Sequence, residues 1–144
     1  MKKVLVTLVT AVIAMGNAAA GDINQRISAL MKVASATDFK VMVIPSSGSF
    51  FSNKIIVGSL KAGADSQSSE QIARMLSGQD AFRLAITSEN DAVGAATLER
   101  ALVSLKEKPS AAHEIAFIGD KEFEETLTTK AAEAGIKFLY VPYP

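Results

Sequence analysis

Apolar residues recur along this chain in two rhythms, one helical and one of short unbroken runs. Ile27, Leu30, Met31 and Ala34 follow one another at i, i+3, i+4 and i+7, which predicts an amphipathic helix. Asp22, with Gln25 three residues on, opens it in a capping-box pattern, and it closes near Ala36. Phe39 to Ile44 is almost wholly apolar and rich in β-branched residues, as in a strand buried on both faces, and Pro45 stops it. Ile55, Ile56 and Val57 mark a second strand. Only about nine residues part these two runs, fewer than a helical crossover needs, so an antiparallel hairpin is expected.

Beyond Val57 the alternation is regular. Ser68 with Gln71 caps a short helix carrying Ile72, Met75 and Leu76, and Gly78 takes the left-handed position after it. Phe82 to Ile86 is a strand. Ser88 or Asn90 then starts the longest helix, with Ala95, Leu98, Leu102 and Leu105 inward and Thr97, Arg100 and Ser104 toward water. Ile115 to Ile118 is a strand, Gly119 turns the chain, and Asp120 caps a helix holding Phe123, Leu127 and Ala131 that Gly135 closes. Ile136 to Val141 is the last strand. Helices alternating with short, doubly apolar strands predict a three-layer α/β sandwich around a mostly parallel sheet of about five strands, the first two forming the hairpin.

The first twenty residues have a different pattern. Lys2 and Lys3 precede a twelve-residue run, Val4 to Met15, broken only by Thr7 and Thr10, and Ala18-Ala19-Ala20 ends it in small side chains. That is the layout of a signal peptide (residues 1–20) cleaved before Gly21, since twelve residues fall short of the roughly 20 that span a membrane. The expected product is one α/β domain, residues 21–144, in the bacterial periplasm or secreted beyond it, with no stable membrane anchor.

Composition narrows the chemistry. There are 15 basic and 15 acidic residues, one His, no Cys and no Trp. The balance of charge argues against a nucleic-acid partner. Without cysteine there is no disulfide framework, thiolate metal site or thiol nucleophile.

In an open parallel sheet, ligands meet the carboxyl ends of the strands. The loops expected there supply the candidate contact residues: Ser46, Ser47, Gly48, Ser49, Phe50 and Phe51 after the first strand, Thr87, Ser88 and Asn90 after the third, Asp120 after the fourth, and Tyr143 past the last. The serine loop is either a mobile turn or an anion cradle of backbone amides, though no phosphate-binding glycine motif occurs. In an extended segment Phe50 and Phe51 point to opposite sides: either one or both tuck under the sheet, or one faces water as a partner-contact anchor. Glu89, Asn90 and Asp91 gather oxygen donors, but EF-hand spacing is missing, and helix capping accounts for them.

His113 is the only histidine and enters the fourth strand, so it belongs at the amino edge, away from the hydroxyls, as a solvated loop residue. That separation forbids a serine triad, and no catalytic residue, metal ligand or cofactor is implied. The reading that follows is an exported, non-catalytic module that binds another envelope or secreted protein, as an accessory component or an inhibitor. The alternative is a small-ligand binder or enzyme working at the carboxyl edge.

Overall fold

A computed structural model describes residues 7–9, 17–34, 39–105, 109 and 111–144. In chain order these form β1 (Thr7–Val9), α1 (Asn17–Val33), β2 (Phe39–Ile44), α2 (Phe50–Lys61), α3 (Gln67–Leu76), β3 (Arg83–Ser88), α4 (Asp91–Val103), β4 (Glu114–Gly119), a 3₁₀ turn (Lys121–Phe123), α5 (Glu124–Glu133) and β5 (Lys137–Pro142). Most of the expected leader lies outside the described residues, as does the expected helix end near Ala36.

All strands run parallel, in the order β1-β2-β3-β4-β5. Four six-residue strands carry the sheet, and the three-residue β1 pairs alongside β2. The crossovers that follow β2, β3 and β4 put α2 to α5 on one face of the sheet, while α1, between β1 and β2, lies on the other. The two cores agree. Met42, Ile44, Leu84, Ile86, Ile115 and Phe117 face α3, α4 and α5, whereas Val41, Val43, Ala85, Ala116, Ile118 and Val141 face Ile23, Leu30 and Ala34 of α1. The strands are therefore apolar on both sides, as their unbroken runs imply, and the domain is the expected three-layer α/β sandwich.

The hairpin does not form. Ile55, Ile56 and Val57 lie inside α2, and β2 pairs with β3 in parallel, Phe39 opposite Arg83 and Ile44 opposite Ser88. Three β-branched residues in a row suggested a strand, but Asn53, Ile56, Val57 and Leu60 keep the helical spacing and supply the inner side of α2, with Asn53 and Leu60 buried. Ser49 caps the helix, its hydroxyl accepting from the Ser52 N–H. A right-handed crossover through α2 and α3 thus replaces the turn.

Several boundaries move as well. α1 starts at Asn17, so Asp22 lies within it and does not cap it. α3 is capped by Ser66 and Ser69 in a reciprocal box, two residues ahead of the expected Ser68. α1, with 17 residues, is longer than α4. Thr97 is buried instead of facing water, its hydroxyl donating to the Val93 carbonyl at 2.7 Å. The left-handed glycine after the second crossover helix is not Gly78; Gly63 and Gly135 hold positive φ, at 102° and 72°.

The helical assignment of α2 is testable at Gly58, an interior position where an added Cβ meets nothing within 4 Å. Gly58→Ala is expected to raise stability by about 0.5–1 kcal/mol in urea unfolding, the usual gain for removing a mid-helix glycine. A loss of stability would contradict a helix there.

Candidate functional site

The carboxyl edge of the sheet is organised around Arg26. It occupies the inward face of α1 between Ile23 and Leu30, so the residue is only 5 % exposed. A buried cation needs partners, and four elements provide them. Nε donates to Asp22 Oδ2 at 2.7 Å. Nη1 reaches Asp91 Oδ1 at 2.5 Å, Thr87 Oγ1 at 3.2 Å and the Ile118 carbonyl at 3.3 Å. The Tyr143 ring lies under the guanidinium, 4.5 Å from its centroid. The Tyr143 hydroxyl shares its proton between Asp22 Oδ1 and Gln25 Oε1, at 2.8 and 2.7 Å. One arginine thus ties α1 to the ends of β3 and β4, the start of α4 and the tail after β5.

The charges in this cluster respond differently to burial. Burial raises the Asp91 carboxyl above the ordinary range; the hydrogen bond and charge of Arg26 lower it, without cancelling the rise. Burial disfavours the Arg26 cation, but hydrogen bonds to Asp22 and Asp91 outweigh it, and the guanidinium is held above its usual value. Gly119 is required beside them. A Cβ there would sit 2.8 Å from the Phe117 ring and 2.9 Å from Asp91 Oδ1, and its carbonyl accepts from the Tyr140 hydroxyl and the Tyr143 N–H.

The predicted contact residues separate into two groups. Thr87 and Ser88 are fully buried; Thr87 donates to the Ile118 carbonyl at 3.1 Å, and Ser88 Oγ accepts from the Asn90 N–H at 3.2 Å. Asn90 caps α4 by accepting from the Val93 N–H, and Asp120 caps the 3₁₀ turn by accepting from the Glu122 N–H. Tyr143 closes over Arg26. These groups meet at one edge, where their hydrogen bonds serve the fold.

The second group leads into α2. The Ser46 to Ser49 loop is tied down by its own bonds. The Ser47 N–H donates to Asn53 Oδ1 at 2.8 Å, Asn53 Nδ2 returns a bond to the Ser47 carbonyl, and the Ser49 N–H donates to Ser47 Oγ. Two amides that an anion cradle would use are therefore committed, and Gly48 sits where an added Cβ would meet nothing within 4 Å. Phe50 and Phe51 follow as the first two residues of α2. Neither tucks under the sheet: they are 75 % and 72 % exposed, because consecutive helical side chains diverge by about 100° and the inner side is taken by Asn53 and Leu60.

Two apolar cavities open beside this pair. One of about 360 Å³ is lined by Phe50, Asn53, Lys54, Val57, Gly58, Asn90 and Ala92. Its neighbour of about 330 Å³ lies between α2 and α5 above the alanines of α4. Neither Arg26, Thr87 nor Asp91 lines them. Among the described residues, no three His, Asp or Glu side chains converge as a metal-binding group.

His113 sits at the amino edge as expected, just before β4, but it is not solvated. It is 3 % exposed, its ring tilted at 46° against Phe82 with centroids 4.4 Å apart, and neither ring nitrogen is hydrogen-bonded. The residue that the pattern of the chain did not single out is Arg26. A signal existed: it falls three residues after Ile23 and four before Leu30, a cation on the apolar stripe of a helix.

Comparison with protein-family models, curated proteins and solved structures finds no match, so geometry alone carries the functional reading.

Arg26→Met is expected to cost about 2–4 kcal/mol in urea unfolding, since it strands Asp91 and Thr87, and pairing it with Asp91→Leu should recover much of that loss. A cost below about 0.5 kcal/mol would remove Arg26 from its central place. The Asp91 carboxyl has a folded pKa above its unfolded one, so its contribution is greatest below the unfolded value and is lost as pH rises through the folded value. The cost of Asp91→Asn should accordingly shrink between about pH 4 and 7. Growth of that cost over the same span would mean that the ion pair outweighs burial.

Proposed function

We propose that this domain is an exported, non-catalytic module whose task is to bind another protein through α2 and the surface beside it. The observation that carries this is the adjacent pair Phe50 and Phe51, both largely exposed, with Phe50 on the wall of an apolar cavity. Large aromatic side chains held out on a rigid helix give contact area at low entropic cost, which is why they anchor interfaces. Ile55, one turn on and 55 % exposed, extends the patch.

The carboxyl edge supports the same reading from the other side. Its hydroxyls, amide and carboxylates, the groups a small ligand or a reaction would use, are engaged by Arg26, by helix caps and by backbone carbonyls. The apolar cavities beside α2 offer packing and little directed polarity. A partner such as an envelope component, or a secreted factor that the domain inhibits, fits that surface.

Export rests on the leader pattern of Lys2, Lys3, Val4 to Met15 and Ala18 to Ala20. The packing of α1 is compatible with cleavage before Gly21. Ile23, Arg26 and Leu30 hold the helix to the sheet, Asp22 and Gln25 meet Tyr143, and all five follow the cut. Among the described residues no helix is long and apolar enough to cross a membrane.

Chemical cross-linking in envelope extract should capture a defined protein with the wild-type chain and lose it with Phe50→Ala plus Phe51→Ala. The same double variant should change urea stability by no more than about 0.5 kcal/mol, because both side chains are solvated in the free domain. Unchanged capture, or a stability loss above about 2 kcal/mol that assigns the rings a packing role, would count against the proposal.

A further inference from the structure

Three depressions lie end to end along the outer side of α4. The first lies between Phe50, Lys54 and Val57 of α2 and Ala92 of α4. The second has Val57 and Lys61 on one wall, Phe123 and Thr126 on the other, and Ala92, Ala95 and Ala96 as its floor. The third carries on past Lys61, Ala96 and Glu99 to Val103. Each shares residues with the next, Val57 and Ala92 at one junction, Lys61, Ala96 and Glu99 at the other. They are one trough that follows α4 from Ala92 to Val103, a rise of about 17 Å at 1.5 Å per residue.

The walls restrict what can lie there. The backbone of α2, α4 and α5 is spent on its own helical bonds, so the trough presents no strand edge to pair with. An extended peptide would bring unpaired amides onto an apolar floor that cannot answer them, whereas a helix arrives with its bonds already made. The alanine floor lets a helix axis approach closely, toward the near end of the usual 8–10 Å spacing. A rise of about 17 Å accommodates some three turns.

Charge selects among helices. Lys54 and Lys61 stand seven residues apart on the α2 wall, α2 contains no acidic residue, and neither lysine has an ion-pair partner among the described residues; the acidic lining residue, Glu99, belongs to α4 and borders the second and third depressions. The Lys54 ammonium lies 4.8 Å from the centre of the Phe50 ring, over the apolar mouth of the trough. A helix seated here with its apolar stripe on Ala92, Ala95 and Ala96 meets both cations along one flank.

We infer that this trough seats an amphipathic helix of the partner protein, about three turns long, with carboxylates spaced seven residues apart along the flank that meets Lys54 and Lys61. The inference rests on the protein-binding reading above and adds to it the place and chemistry of the contact.

The probe is a displayed library of 15-residue helical segments with a fixed leucine stripe and randomised flanks, selected against the full chain. Segments carrying Glu or Asp seven residues apart on one flank should be enriched. A selected segment should bind at least tenfold more weakly to Thr126→Trp, which blocks the trough from the exposed side of α5. It should also bind about tenfold more weakly to the double variant Lys54→Glu, Lys61→Glu, and exchanging its two carboxylates for lysines should restore binding to that variant. Thermal melts verify that both variants fold. Enrichment without an acidic flank, or binding that ignores Thr126→Trp, overturns the assignment. If the envelope partner is still lost with Phe50→Ala plus Phe51→Ala, the binding module stands and only the trough fails. Concentration-dependent dimerisation that Thr126→Trp abolishes overturns it in favour of a second copy of this chain.

Discussion

A buried arginine is the constraint around which the carboxyl edge is arranged. Arg26 enters from α1, which packs on the sheet face opposite the other helices, and its charge must be met by groups from the far side of the chain. Asp91 and Thr87 stand 65 and 61 residues away in sequence, and the Ile118 carbonyl 92. The tail beyond β5 completes the enclosure by laying Tyr143 against the same cation. Small residues on that face of the sheet, Ala85 and Ala116, leave room for the helix that delivers the arginine.

Closing that edge redirects the molecule's open chemistry. In a parallel α/β sheet the strand ends commonly hold the ligand, because helix N-termini and loop side chains converge there. Here the N-terminus of α4 is answered by Asn90 and Asp91, and the hydroxyls of Thr87 and Ser88 at the end of β3 are turned inward. The surface left available is lateral, along the helical layer, where α2 holds Phe50 and Phe51 away from the body and α4 is floored with alanine. Its chemistry is packing with a cationic border, suited to a side-chain-covered partner more than to a small polar molecule.

Periodicity revealed most of the framework and failed at identifiable points. The strands at Phe39–Ile44, Arg83–Ser88, Glu114–Gly119 and Lys137–Pro142 stand where unbroken apolar runs place them, and Asn90, Asp120 and Gly135 punctuate as their chemistry demands. The error at Ile55–Val57 came from weighing three β-branched side chains above the wider spacing from Asn53 to Leu60, and it carried with it the hairpin and the divergent placement of the two phenylalanines. The environment of His113 was hidden for another reason. Its position at the amino edge followed from chain order, but its burial depends on Phe82, which closes over it from the neighbouring strand entrance.

The four long strands and the caps Asn90 and Asp120 were readable because each is settled among residues a few positions apart, where spacing and backbone geometry act directly. Which charge meets which, whether an aromatic side chain is covered, and where a surface stays open were settled only when elements tens of residues apart packed together. Arg26 is the measure of that division: its place on the apolar stripe of a helix and its pairing with Asp22 one turn away are written locally, while the Asp91 carboxylate, the threonine and the ring that make its burial tolerable are assembled by the sheet.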